Sequence, residues 1–130
     1  MICLDSDIII DFLKGKEKAV QLLKRYNNEI ITTEINAFEV IFGVFIQGKL
    51  NEEERTNVSN FFNSLHVLAF DQGCGKISAQ LMTSLIKKGL MVDQNDCLIA
   101  SIMIKNNCSK ILTNNKKHFS RIKNIEVVSD

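Results

Sequence analysis

Five short apolar runs separate longer stretches of helical spacing, and that alternation limits what this chain can fold into more than any other feature. The runs are residues 2–4 (ICL), 30–31 (II), 66–70 (HVLAF), 110–113 (KILT) and 125–128 (IEVV). Each has a strand's length. The stretches between them place apolar residues three and four apart, the spacing of a helix that buries one stripe. Helices are expected at 7–14, 17–26 and 34–47, then after Asn51, at 71–88 and at 95–107. Short strands alternating with helices predict an α/β fold, a short central parallel sheet flanked by helices.

The punctuation agrees with that reading. Asp5-Ser6-Asp7 and Thr32-Thr33 carry N-cap chemistry, and Asn51 opens a helix whose first turn is acidic. Gly15 and Gly48 stand where helices should stop. Ile8, Ile9, Phe12 and Leu13 should face inward from the first helix, and Ile77, Leu81, Leu85 and Ile86 from the fifth. Val58, Phe61, Phe62 and Leu65 mark the inner side of the fourth. The stretch NNKKHF reads as a polar turn.

A length of 130 residues suits one domain with one core, so 1–130 is expected to be a single domain. The net charge of +1 excludes a global field that would hold nucleic acid, leaving only local patches. The opening MICLDSDIIIDF lacks the basic start of a secretory signal, and the longest uncharged apolar run, 40–48, is too short to cross a bilayer. Cys3, Cys74, Cys97 and Cys108 are widely spaced and form no CxxC pair. They read as buried thiols of a cytoplasmic protein rather than a disulfide or zinc set.

Three acids stand in places that cost free energy. Asp5 directly follows the first strand, Asp96 opens the apolar helix CLIASIMI, and Glu39 sits among the aromatic and aliphatic residues of NAFEVIFGVF. No Lys or Arg lies between Arg25 and Lys49, so Glu39 has no local cation. Alone, Asp5 and Asp96 also read as helix caps and Glu39 as a solvated residue. Taken together they read differently, because the strands of a parallel sheet deliver their carboxyl ends to one shared edge. Carboxylates converging there repel one another unless a cation joins them. Oxygen donors suit the hard ions Mg²⁺ and Mn²⁺, and no Cys/His spacing suits zinc. Gly43, one turn beyond Glu39, leaves room for a neighbouring element to come close.

These residues resemble the PIN-domain nucleases, and within them the VapC-like toxins of toxin–antitoxin pairs. MICLDSDIIIDFLKG is similar to the family's opening strand and its metal-binding acid, here Asp5. TEINAFEVIFG, with Glu39 four before Gly43, VDQNDCLIAS, with Asp96, and ILTNNKKHFSRI are similar to its later motifs. The resemblance spans nearly the whole chain. It implies a Rossmann-like sheet, a homodimer, an antitoxin partner that blocks the site, and an endoribonuclease that uses Mg²⁺ or Mn²⁺. The family often carries a fourth acid two or five residues after the final Thr; here Asn115 and His118 stand there.

The expected catalytic set is therefore Asp5, Glu39, Asp96 and Asn115, with the three acids as metal ligands. Asn115 would orient water or substrate, and Thr113 could assist from the strand end. Lys116, Lys117, Arg121 and Lys123 beside the final motif, and Lys14 with Lys16 after the first helix, are candidate contacts for an RNA backbone. Asp7 and Asp93 are further acids nearby. The competing reading is a catalytically weak PIN-fold module that binds RNA or protein. A phosphoacceptor domain fits less well, and GCGK at 73–76 lacks the spacing of a phosphate loop.

Overall fold

The computed structural model describes residues 1–128. In chain order the elements are β1 (Ile2–Leu4), α1 (Ser6–Leu13), α2 (Glu17–Arg25), β2 (Ile30–Thr33), α3 (Glu34–Gln47) and α4 (Glu52–Asn63). Then come β3 (His66–Leu68), α5 (Cys74–Lys87), α6 (Gln94–Lys105), β4 (Lys110–Leu112), α7 (Lys116–Phe119) and β5 (Glu126–Val127). The strands form one sheet in the order β3-β2-β1-β4-β5, and every pairing is parallel. Cys3 lies opposite Ile31 on one side and Ile111 on the other.

Alternation along the central strands divides the core. Cys3, Ile31 and Ile111 point to one face, where they pack with Cys97, Ile99, Ile102 and Met103 of α6, with Leu85 of α5, and with Phe119. Ile2, Leu4 and Leu112 point to the other, against Ile8 and Ile9 of α1, Leu22 of α2 and Val40 of α3. β1 is buried on both sides, as a middle strand of a parallel sheet must be. The four cysteines are free and buried. Among the described residues, no helix is long and apolar enough to cross a membrane.

All strands end at one edge, so each helix that follows a strand starts there and runs back. Thr33 caps α3 by accepting from the Asn36 amide, and Gly48 closes it in the left-handed conformation at φ 62°. Asn51 caps α4 by accepting from the Glu54 amide. This return path corrects one expectation: Lys14 and Lys16 do not share the carboxylate edge. They stand beyond the far end of α1, about 12 Å from its start at 1.5 Å per residue. Lys16 pairs there with Asp11 at 3.2 Å.

Other local expectations change too. NNKKHF is not only a turn, because its last four residues form α7, too short to show a period. The third strand stops at Leu68, and Phe70 is exposed. Ile86 faces solvent at 66% exposure, while Leu85 and the half-buried Met82 fill the core side of α5. Gly43 is not a close-approach point within the chain: a Cβ there would meet no atom within 4 Å. It borders a cavity of about 230 Å³ shared with Ile10, Leu13, Val40 and Val44. Phe61 and Phe62 of α4 pack against the core, so the surplus of exposed phenylalanine lies mainly on α3.

Candidate metal centre

Asp5 leaves β1 in extended conformation and takes the N-cap position of α1. Its side chain is 6% exposed and fully engaged. Oδ1 accepts from the Ser6 amide at 2.8 Å and from Asn36 Nδ2 at 3.2 Å, and Oδ2 accepts from Thr113 Oγ1 at 2.6 Å. Burial raises its pKa to about 7; the Thr113 hydrogen bond opposes that shift, while the charges of Asp7 and Asp96 add to it.

Glu39, in the second turn of α3, is half-buried, and both its oxygens are held. Oε1 accepts from Ser6 Oγ at 2.7 Å and Oε2 from Asn95 Nδ2 at 3.2 Å. The partner missing from its own sequence neighbourhood is thus supplied by two neutral donors. Asn36, one turn earlier and completely buried, joins Glu39's surroundings to Asp5. Its Oδ1 accepts from Thr33 Oγ1 at 2.7 Å, and its Nδ2 also donates to Ser6 Oγ at 3.0 Å.

Asp96 is the third residue of α6, and Asp93 rather than Asp96 holds the N-cap position. Asp96 Oδ2 accepts from Asn115 Nδ2 at 3.2 Å and lies 3.1 Å from His118 Nδ1. Burial raises its pKa; the His118 contact lowers it, and the charges of Asp93 and Glu39 raise it further. The nearest ring of potential ligand atoms is Asp93, Asp96 and His118, all within 4.8 Å of one another. Asp5 and Glu39 stand outside that ring, connected through Ser6, Asn36, Asn95 and Thr113. Asp7, at the start of α1, accepts from the Asn114 amide at 3.0 Å, and its Oδ1 is buried with no partner among the described residues. Burial raises its pKa as well.

Among the described residues, no Lys or Arg is seen pairing with Asp5, Glu39 or Asp96; His118 is the basic side chain that touches Asp96. The Lys–carboxylate pairs Lys16–Asp11 and Lys105–Asp71 both lie away from Asp5, Glu39 and Asp96. An oxygen-rich donor group held by neutral hydroxyls and amides, with one buried carboxylate oxygen unpaired, suits a hard divalent ion better than an internal ion pair.

The basic residues divide. Lys116 and Lys117 are exposed on α7, directly after Asn115. Arg121 donates to the Met91 carbonyl and ties down the loop before α6. Lys123 is exposed further along.

The family model described as PIN domain matches residues 2–125. The chain belongs to the PIN domain family. Ribonuclease VapC2 of Rickettsia felis is 35% identical over 99 residues, which cover 76% of this chain and 72% of that protein. Ribonuclease VapC1 of Methanocaldococcus jannaschii is 29% identical over 123 residues, 94% of this chain and 81% of that one. Among solved structures, VapBC2 from Rickettsia felis bound to a promoter DNA fragment matches with a TM-score of 0.85 at 30% identity, covering 98% of both chains. DNA-bound VapBC from Salmonella typhimurium matches with a TM-score of 0.82 at 25% identity, covering 98% of this chain and 96% of that chain.

Sequence reasoning passes over Ser6, Asn36 and Asn95 as site residues. Each adjoins a flagged acid in sequence or by one helical turn, and that adjacency is the available signal.

Proposed function

We propose that this PIN domain, spanning residues 1–130, is a divalent-metal-dependent endoribonuclease that acts as the toxin of a toxin–antitoxin pair. The observation that carries the reading is the set of acids from β1, α3 and α6, oriented by neutral donors and left without Lys or Arg. The naming of its relatives as VapC ribonucleases, and of matching structures as VapBC, supports the substrate class and the antitoxin partner. The reading puts the protein in the cytoplasm.

Asp5, Glu39 and Asp96 would hold Mg²⁺ or Mn²⁺. Such an ion, when bound, neutralises the acids, polarises a phosphodiester and makes water more acidic. Around it the chain's own groups divide the work. Thr113 and Asn36 fix the Asp5 carboxylate, and Asn115 fixes Asp96. Glu39, the least buried of the three acids, takes the proton of the attacking water. Lys116 and Lys117 meet the RNA backbone through its phosphates. Lys14, past the far end of α1, would meet only a phosphate further along the same backbone.

Purified protein should degrade RNA with added Mg²⁺ or Mn²⁺, stop with EDTA, and recover when the ion is restored. Asp96→Asn should lower the rate by more than about 100-fold, the upper range for loss of an outer-shell metal partner. Equal residual cleavage by variant and wild type would mark a contaminant. It would then favour the second reading, a PIN-fold binding module, which Asn115 and His118 at the fourth-acid positions motivate.

The same reading includes a homodimer. Phe38, Phe42, Phe45 and Ile46 form a stripe along α3, each more than half exposed, with Phe38 and Phe42 stacked at 5.6 Å. Phe45→Asp should shift the protein from dimer to monomer in light scattering at micromolar concentration, without changing its far-UV spectrum. An unchanged mass would remove α3 from the interface.

A further inference from the structure

We propose that His118 makes this centre a mixed nitrogen–oxygen site that selects a first-row transition ion over Mg²⁺. The inference rests on the metal-dependent reading above and names the ion class that reading leaves open. His118 stands at the end of the short α7 turn, half-buried, with Nδ1 rather than Nε2 turned inward. Asp96 Oδ2, Asn115 Nδ2 and His118 Nδ1 form a triangle with sides of 3.2, 3.0 and 3.1 Å.

Two arrangements of hydrogens fit that triangle. If Nδ1 carries the proton, it and the Asn115 amide both donate to Asp96 Oδ2, and His118 keeps no inward lone pair for a metal. If Nδ1 is bare, it accepts from Asn115 and sets its lone pair against the carboxylate. Turning the Asn115 amide over moves the conflict to the Asp96 side, where two oxygens meet. A cation that accepts the lone pairs of both Nδ1 and Oδ2 removes the conflict in the second arrangement, and Asn115 then serves as donor to both ligands. Asp93 adds a further oxygen beside Asp5 and Glu39, because its carboxylate makes no capping bond to α6 and lies in one 4.8 Å ring with Asp96 and His118.

The identity of the donors then decides the ion. Mg²⁺ demands oxygen and holds its water tightly, whereas an imidazole nitrogen favours transition ions over it. His118 brings no carboxylate charge to attract Mg²⁺ and adds the nitrogen that a transition ion accepts. The chain is therefore a binder of Mn²⁺, or of an ion further along the first row, in preference to Mg²⁺.

Mn²⁺ titration followed by electron paramagnetic resonance, with Mg²⁺ as competitor, tests this without any cleavage assay. Wild type should bind Mn²⁺ more tightly than Mg²⁺. His118→Asn should shrink that margin by about 10–100-fold while leaving Mg²⁺ affinity nearly unchanged. Electron spin-echo modulation from a directly bound ¹⁴N should appear in the wild-type Mn²⁺ complex and vanish in the variant. An equal margin in both proteins, or a bound Mn²⁺ without nitrogen coupling, would overturn the role of His118 and leave the nuclease reading intact. Absence of any Mn²⁺ binding would overturn both.

Discussion

Metal-free Asp5→Asn protein is expected to melt on the order of 5–10 °C above wild type at about pH 8. With Mn²⁺ or Mg²⁺ present it should cleave RNA more than about 100-fold more slowly. Both effects have one cause. The Asp5 carboxyl is buried, and its pKa rises from 3.8 to about 7, chiefly because burial penalises the charge. A carboxyl whose folded pKa lies above its unfolded value stabilises the fold at acid pH, and that contribution is lost as pH rises through the folded value. A shift of roughly three units corresponds to at most about 4 kcal/mol. Asparagine keeps the acceptor for the Ser6 amide and for Asn36, and its amide can donate to the Thr113 hydroxyl, so the variant escapes the penalty. The gain should fade towards about pH 4, where wild-type Asp5 is protonated. Metal should raise the melting temperature of wild type far more than that of the variant. Melting curves across pH with and without metal separate these effects, and a variant less stable than wild type at every pH would refute the assigned cost.

Asn36→Ala is expected to lower the unfolding free energy by about 2–4 kcal/mol and metal affinity by about 10–100-fold. Asn36 is completely buried, and its amide serves Thr33, Ser6 and Asp5 at once. Truncation leaves the Thr33 hydroxyl without its acceptor and withdraws a donor from both Asp5 and the Ser6 hydroxyl that orients Glu39. Removing one side of a buried network costs more than the net worth of its bonds, because the abandoned groups cannot reach water. Unlike the Asp5 effect, this loss should persist across the pH range. Denaturant unfolding and Mn²⁺ titration measure the two parts. A stability change under about 0.5 kcal/mol would mean that Asn36 is a bystander.

These two residues also show what can be read from the chain alone. The place of Asp5 is legible because the parallel sheet fixes the edge at which the end of an apolar run emerges, although a helix cap alone would look the same. Glu39 is legible through an absence, the lack of any nearby cation. Asn36 does not stand out as a site residue, because a neutral amide in a helix looks the same whether it faces water or binds an acid. Lys14 is misplaced because closeness along the chain to Asp5 hides the length of α1 between them. His118 and Asn115 are visible as departures from a family pattern. Their contact with Asp96 depends on α7, whose four residues carry no period. Gly43 reads as a packing contact, yet the space beside it is open within the single chain. The strands and long helices are legible because their burial is periodic. The polar network is not, because hydrogen bonds across 30 or more residues leave no trace in local spacing.

Anomalous diffraction from crystals soaked in Mn²⁺ bears most directly on the union of the three acids. A manganese peak should lie within coordination distance of Asp96 and be shared, directly or through water, with Asp5 and Glu39. A well-ordered site with no peak at saturating Mn²⁺, or a lysine or arginine side chain turned in to neutralise these carboxylates, would contradict it.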